Sequence, residues 1–202
     1  MSLHYCPDCR LLVSHCICAQ RPSCVTGMHW RLLMHPNEAN KRNNSGFHVQ
    51  RLLGAKVRRV YWDRRAQQEM ATQAALDGQQ PVLLFPKHFA VESAICSDSY
   101  LGEWSNRPLM ILDATWQQAR KMYRQSSWLQ SLDVWSLPIE QKQAVPELAD
   151  FQYRLRKNQA TTGCSTIETV AFVTHLLGET AIAEQMLNYF ELFQRDDNDP
   201  SH

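Results

Sequence analysis

The stretch that most restricts the fold is Pro108-Leu109-Met110-Ile111-Leu112-Asp113, together with the segment from Ala114 to Arg124. Four consecutive apolar residues, Leu109 to Leu112, fit a strand buried on both faces, because a half-exposed strand would alternate. The run stops at Asp113. From Thr115 the pattern turns helical: Ala119, Met122 and Tyr123 share one face, with Arg120, Lys121 and Arg124 beside them. A strand of this kind needs strand neighbours and helices over both sheet faces, which points to an α/β fold. The Asp113 carboxylate falls where strand gives way to helix, and in open α/β sheets that carboxyl edge is where ligands bind. Asp113 or Thr115 can also simply cap the helix by accepting from its free N–H groups.

The rest of the chain repeats the alternation. Trp30 to His35 reads as a strand ended by Pro36, since proline cannot continue a ladder and restricts the residue before it. The polar run to Asn43-Asn44-Ser45-Gly46 leads into a helix near Phe47 to Leu53, closed by Gly54. A turn of that composition before a helix can bring backbone N–H groups to an anion. Val57 to Trp62 reads as a second strand and Arg64 to Leu76 as a helix. Pro81 to Phe85 reads as a buried strand stopped by Pro86. Lys87 to Asn106 reads as irregular, with a short helix or strand near Phe89 to Ile95, and Asp133 to Leu137 as the last strand. A polar stretch, Ile139 to Gly163, holds a helical fragment near Leu148. Ser165 and Glu168 have capping-box spacing before an apolar helix. Gly178 ends it, and a last helix opens at Thr180 with Ile182, Met186, Tyr189, Phe190 and Phe193 as its stripe. The expected architecture is a parallel sheet with flanking helices. Three strands end in candidate ligand loops, at His35-Pro36, Phe85-Pro86 and Asp113, which suits a nucleotide-like ligand. No Gly-x-Gly-x-x-Gly and no P-loop is present, which argues against an ordinary dinucleotide or nucleoside triphosphate site.

Five of the seven cysteines lie before residue 25. Cys6-Pro7-Asp8-Cys9 has the spacing of a zinc knuckle, and Cys16-Ile17-Cys18 comes six residues later. Without a secretory leader, such clustering favours metal over disulfides. Four thiolates make a closed structural site. His4, His15 and Cys24 are alternative ligands, and free or redox-labile thiols are the other reading. The expected division is 1-28 as a cysteine-rich zinc-binding segment and linker, 29-195 as the catalytic body and 196-202 as a disordered polar tail.

The apolar fraction, 44% over 202 residues, supports a sizeable core. No run approaches the roughly 20 apolar residues of a membrane span. The start, Met-Ser-Leu-His-Tyr-Cys, lacks the regions of a signal peptide, so a cytoplasmic protein is expected. Net charge is only +1, yet the basic residues are grouped: Lys41-Arg42, Arg58-Arg59, Arg64-Arg65, Arg120 to Arg124 and Arg154 to Lys157. Such groups are either solvated surface or a phosphate-contacting face.

Asp113-Ala114-Thr115-Trp116 with Ala119-Arg120-Lys121-Met122 resembles the signature of the DTW-domain family. The likeness extends in order through the N-terminal cysteines, His35-Pro36 with Asn43 to Gly46, Phe85-Pro86, Tyr153-Arg154-Leu155-Arg156 and Ser165-Thr166-Ile167-Glu168. One departure is Asn44-Ser45-Gly46, where the family often has Asn-Thr-Gly, and serine keeps the hydroxyl. The resemblance implies a SPOUT-like parallel sheet with a C-terminal trefoil knot, which nothing in the periodicity shows. It also implies transfer of the 3-amino-3-carboxypropyl group of S-adenosylmethionine to N3 of a tRNA uridine, leaving methylthioadenosine. By the same likeness, His35, Pro36, Ser45, Phe85, Pro86, Leu112, Asp113, Ala114, Arg154, Ser165 and Glu168 are the expected donor-binding set, and Asp113, Thr115 and Trp116 the catalytic one.

Uracil N3 is a poor nucleophile until deprotonated, and Asp113 is the residue expected to orient or take its proton. An ordinary aspartate, with a pKa of about 3.9, is a weak base for this, and burial would strengthen it. Arg154 suits the donor carboxylate. Trp116 either stacks on a flipped base or on adenine, or fills core, the commoner fate of a tryptophan. Capping is the first expectation for Ser165 and Glu168. Two readings compete with the transferase: a SPOUT-type S-adenosylmethionine-dependent RNA methyltransferase, and a zinc-knuckle RNA-binding module without chemistry. The chain is expected as a monomer or homodimer.

Overall fold

A computed structural model describes residues 4–65, 80–96, 107–149, 151, 154–155 and 164–196. The chain divides into two compact units, Thr26–Lys41 with Ala55–Pro138, and Met1–Val25 with Arg42–Gly54 and Ile139–His202.

The first unit is built on a five-stranded parallel sheet. Its strands are β1 (Trp30–Met34), β2 (Val57–Tyr61), β3 (Val82–Leu84), β4 (Leu109–Asp113) and β5 (Val134–Trp135), in the order β2-β1-β4-β3-β5. The apolar run reads as expected: every residue of β1 and β4 is buried, and these two strands pair residue for residue, Trp30 with Leu109 through Met34 with Asp113. The chain leaves β1 toward β2 on one side and leaves β4 toward β5 on the other. β1 and β4 therefore flank the point where the winding reverses, the place where doubly wound sheets open a crevice for ligand. β2 forms an edge, and its Val57-Arg58-Arg59-Val60-Tyr61 sequence is correspondingly only partly buried.

Helix α1 (Pro36–Ala39) comes directly after β1, one short turn in a stretch whose polar, small residues read as loop. Its N-cap is His35, whose Nδ1 accepts from the Asn37 N–H at 3.2 Å. After β4 comes α3 (Trp116–Gln125), then α4 (Ser127–Gln130). Thr115 caps α3 in a full capping box with Gln118. Leu33, Leu83, Phe85, Met110 and Leu112 form one core with Ala119, Met122 and Tyr123 of α3. The irregular Lys87 to Asn106 segment begins with 3₁₀ turns at Lys87–Phe89 and Glu92–Ala94 and a bridge from Ile95 to Val134.

The second unit is helical. It contains α2 (Ser45–Leu53), a 3₁₀ segment Ile139–Ala144, α5 (Pro146–Ala149), α6 (Thr166–Leu176) and α7 (Thr180–Asp196). α6 and α7 pack on each other, and α2 packs on both. Met186, Tyr189, Phe190 and Phe193 of the α7 stripe are buried, and Ile182 is half-buried. Asn44 caps α2, accepting from the Phe47 N–H at 2.7 Å, and Gly54 closes it at φ +55°. Gly178 lies just past α6 at φ +89°.

The helix expected at Arg64 to Leu76, the 196-202 tail and the Tyr153 and Arg156-Lys157 positions lie mostly or wholly outside the described residues. The expected C-terminal knot cannot be traced through the described residues, which leave gaps between 149 and 164.

No atom would lie within 4 Å of a Cβ at Gly54, so only backbone strain opposes a side chain there. Gly54→Ala is expected to cost about 1–3 kcal/mol in denaturant unfolding, with the slope against denaturant unchanged. Unaltered stability would show that the α2 terminus relaxes.

Candidate functional site

Backbone pairing builds the sheet edge. The Asp113 carbonyl accepts from the His35 N–H at 3.1 Å, tying the ends of β4 and β1 together at the winding reversal. Asp113 is only 3% exposed. Arg59, on β2, feels its charge. Burial pushes the Arg59 guanidinium below its ordinary value, opposed first by the Asp113 carboxylate and then by Tyr61. In the sequence Arg59 registers only as a break in an apolar strand. A signal is present all the same, since a cation inside a parallel strand needs a countercharge. Trp62, one residue past β2, is a second site residue that the sequence does not single out. Its ring stacks on His35 with centroids 5.8 Å apart, and its Nε1–H donates to Ser126 Oγ at 2.9 Å. Burial, more than the opposing Glu38 carboxylate, holds His35 below the usual histidine range, which favours the neutral ring that accepts from Asn37.

Phe85, past the end of β3, is buried and stacks on Tyr123 at 4.6 Å. Trp116 leans on Phe85 at 5.7 Å and on Phe89 at 5.1 Å. It is nevertheless 45% exposed, so the core reading of this tryptophan fails: it is the first residue of α3, at the N-terminal end of the face that Ala119 and Tyr123 bury. Thr115 has its hydroxyl engaged by the Gln118 N–H at 3.3 Å. Within this unit the structure thus gathers His35, Pro36, Phe85, Pro86, Leu112, Asp113, Ala114, Thr115 and Trp116 at the carboxyl ends of adjacent strands.

Ser45, Arg154, Ser165 and Glu168 belong to the helical unit. Ser45 is the first residue of α2, and the neighbouring Asn43 donates to the Leu155 carbonyl at 3.0 Å, linking that turn to the Arg154-Leu155 segment. The Arg154 guanidinium pairs with Glu191, and its backbone N–H donates to Gln194 Oε1 at 2.7 Å. Ser165 and Glu168 form the expected capping box of α6. Glu168 Oε2 accepts from the Ser165 N–H at 2.8 Å, and Oε1 accepts from Lys142 Nζ at 2.5 Å. Both ends of this ion pair are largely buried. Lys142 lies in a polar stretch with no pattern to mark it, so the sequence gives no warning of this pair. Burial, with the Glu168 carboxylate as the next cause, pushes the nearby Cys164 thiol up to about 11, so it stays protonated at neutral pH.

The thiols of Cys6, Cys9, Cys16 and Cys18 all lie within 4.8 Å of one another, with Cys6–Cys18 and Cys6–Cys16 at 3.6 Å and Cys9–Cys16 at 3.8 Å. Zinc–sulfur bonds of about 2.3 Å in a tetrahedron give sulfur–sulfur edges of about 3.8 Å, so these thiolates fit zinc. The first pair is set by a tight turn in which the Arg10 N–H donates to the Cys6 carbonyl at 2.8 Å and the Cys6 N–H to the Leu11 carbonyl at 2.7 Å. Arg10 takes φ +64° there, with its guanidinium 3.6 Å from the centroid of Phe47 on α2. Asp8 pairs with Arg51 of the same helix. Cys24 is not part of the cluster; its thiol meets Gln185 on α7 at 3.8 Å. Tyr189 is pushed up to about 12 by burial and then by Cys18 and Cys9.

Fold and edge together describe an α/β protein with a buried carboxylate at a winding reversal and four clustered cysteines that could hold zinc. The DTW-domain model matches residues 3–196, nearly the whole chain, and the protein belongs to the DTW-domain family. Membership fits a tRNA-modifying enzyme acting on RNA. No solved structure matches the chain. No helix among the described residues is long and apolar enough to cross a membrane.

Cys9→Ser is expected to abolish zinc retention through dialysis, read by metal analysis, and to lower the melting temperature, since metal binding is folding free energy for so short a segment. Zinc content equal to wild type would remove Cys9 from the ligand set. Glu168→Ala should cost about 3–5 kcal/mol, because it strands a mostly buried lysine. Adding Lys142→Met to Glu168→Ala should recover much of that loss in urea unfolding; an additive penalty would show that the two residues act separately.

Proposed function

We propose that the protein transfers the 3-amino-3-carboxypropyl group of S-adenosylmethionine to N3 of a uridine in tRNA. The observation that carries this reading is a buried carboxylate, Asp113, at the winding reversal of a DTW-family sheet. The sulfonium activates three carbons, so choosing the aminocarboxypropyl carbon over the methyl is a matter of holding that CH₂ in line with the acceptor. A bond forms from N3 to that carbon as its bond to sulfur breaks. The electron pair stays on sulfur, which becomes the neutral thioether of methylthioadenosine, and N3 loses its proton.

In this reading Asp113 holds the N3–H by a hydrogen bond and takes up the proton as the bond forms. Arg59 supplies the countercharge that keeps it in place. The loops at His35-Pro36, Phe85-Pro86 and Leu112-Asp113-Ala114 hold the adenosine. Arg154 is assigned to the donor carboxylate, exchanging Glu191 for it, and Ser45 to the anion-facing turn. Ser165 and Glu168 act on the donor through the turn they lock. Zinc at Cys6, Cys9, Cys16 and Cys18 is structural, leaving no ligand position open. Residues 29-195 form the catalytic body in the SPOUT-like, knotted arrangement that the family resemblance implies, in a cytoplasmic monomer or homodimer.

Mass analysis of products after incubation with S-adenosylmethionine and unmodified bulk tRNA tests the reading. Methylthioadenosine, with a uridine heavier by one aminocarboxypropyl group, is expected. S-adenosylhomocysteine with a methylated nucleoside would move the assignment to a methyltransferase, and binding without either product to a module without chemistry. Asp113→Ala should lower turnover about 10²- to 10⁴-fold. Near-normal turnover in that variant sinks the role given to Asp113.

A further inference from the structure

Trp116, like Tyr61 at the end of β2, is a large ring at the strand-end edge that the core does not absorb. Its indole is braced from behind, by Phe85 at 5.7 Å and Phe89 at 5.1 Å, and Phe85 is itself fixed on Tyr123 at 4.6 Å. Arg120, one turn along α3, places its guanidinium 4.2 Å from the Phe89 centroid, and the His88 ring lies 4.1 Å from the same ring. Rigid backing with an exposed face is the construction of a stacking surface, because little side-chain freedom remains to be lost on binding. The rim is cationic: Arg120, Lys121 and Arg124 are exposed on α3, and Lys87 lies on the 3₁₀ turn that carries His88 and Phe89.

We propose that Trp116, with Phe89 behind it and Arg120 beside it, is a platform on which an unpaired base of the RNA substrate stacks. This rests on the reading of the protein as an RNA-modifying enzyme and assigns its acceptor side. Charge decides between the two available flat partners. S-adenosylmethionine carries a sulfonium, an ammonium and one carboxylate, a net positive charge, so a cluster of lysine and arginine disfavours it. A base carried on a phosphate chain is drawn to the same cluster. Stacking accepts any base, because every base offers a π-face. The platform therefore grips the acceptor strand, and the choice of uridine falls to hydrogen bonds made elsewhere.

Two probes separate base from phosphate: a short single-stranded uridine oligonucleotide, and the same oligonucleotide with its central base removed. The full-length protein should prefer the intact probe by about 5- to 100-fold. Trp116→Ala should bring that ratio close to one, Trp116→Phe should keep part of it, and neither should change S-adenosylmethionine affinity measured by calorimetry. Arg120→Gln should weaken both probes alike and reduce the salt dependence by about one phosphate contact. Equal binding of the two probes by wild type overturns the platform. So does a ratio unchanged in Trp116→Ala, or a loss confined to S-adenosylmethionine, which would make the surface an adenine site. Unweakened binding of both probes by Arg120→Gln overturns the assignment to a polyanion. A tryptophan-dependent ratio in a protein that forms no methylthioadenosine would leave the platform standing and refute the transferase alone.

Discussion

The pairing of β1 with β4 is the constraint on which the sheet unit depends. Both strands are buried throughout, and their register puts Met34 opposite Asp113, so they end together. The hydrogen bond from the His35 N–H to the Asp113 carbonyl is the last rung of that ladder. A one-residue slip would turn every side chain to the other face and carry the aspartate away from the edge. Burial on both faces forbids the slip, because no solvent face exists to receive a displaced polar residue. The same packing that makes the strand stable thus fixes the carboxylate in place, with Arg59 as its neighbouring cation.

In the helical unit the analogous anchor is the cysteine knuckle. A turn of that length cannot bury enough apolar surface to order itself. It is held at both ends of its span instead, by Arg10 over Phe47 and Asp8 with Arg51 on α2, and by Cys24 on Gln185 of α7. Metal at the four thiols would then brace the α2–α7 packing rather than a free appendage. The positive φ of Arg10 serves the same end. Glycine would take that conformation with less strain, but only a side chain can lie on Phe47.

Much of the strand and helix order is legible in the sequence because buried parallel strands announce themselves as short apolar runs and end at prolines or charges. Trp30 to Met34, Val82 to Leu84 and Leu109 to Asp113 are all of that kind, and Thr115 and Ser165 carry recognisable capping boxes. The cysteine cluster is legible from spacing alone. The illegible part depends on contacts between residues distant in sequence. Arg59 beside Asp113, Trp62 on His35 and Lys142 on Glu168 join segments 54, 27 and 26 residues apart, and no local pattern encodes them. Trp116 shows the converse limit. Spaced three and seven residues before Ala119 and Tyr123, Trp116 shares their face and reads as core; it stays exposed as the first residue of α3, at the end of that stripe.

The Lys142–Glu168 pair bears on how residues from a family signature should be interpreted. Glu168 belongs to a motif that the resemblance ties to the donor, yet its two oxygens are taken by Lys142 and the Ser165 N–H. A buried ion pair of this kind gains little net stability, since desolvation offsets most of the attraction. Its value lies in the movements it forbids. With the lysine committed, the Ile139–Ala144 segment cannot drift from the start of α6 without stranding a charge. Specificity for one backbone arrangement is therefore the contribution such a pair makes, and a signature glutamate can be required for that reason while never meeting the donor. The distinction is physical: a donor-binding role would show in substrate affinity, whereas a locking role would show in unfolding even with no substrate present.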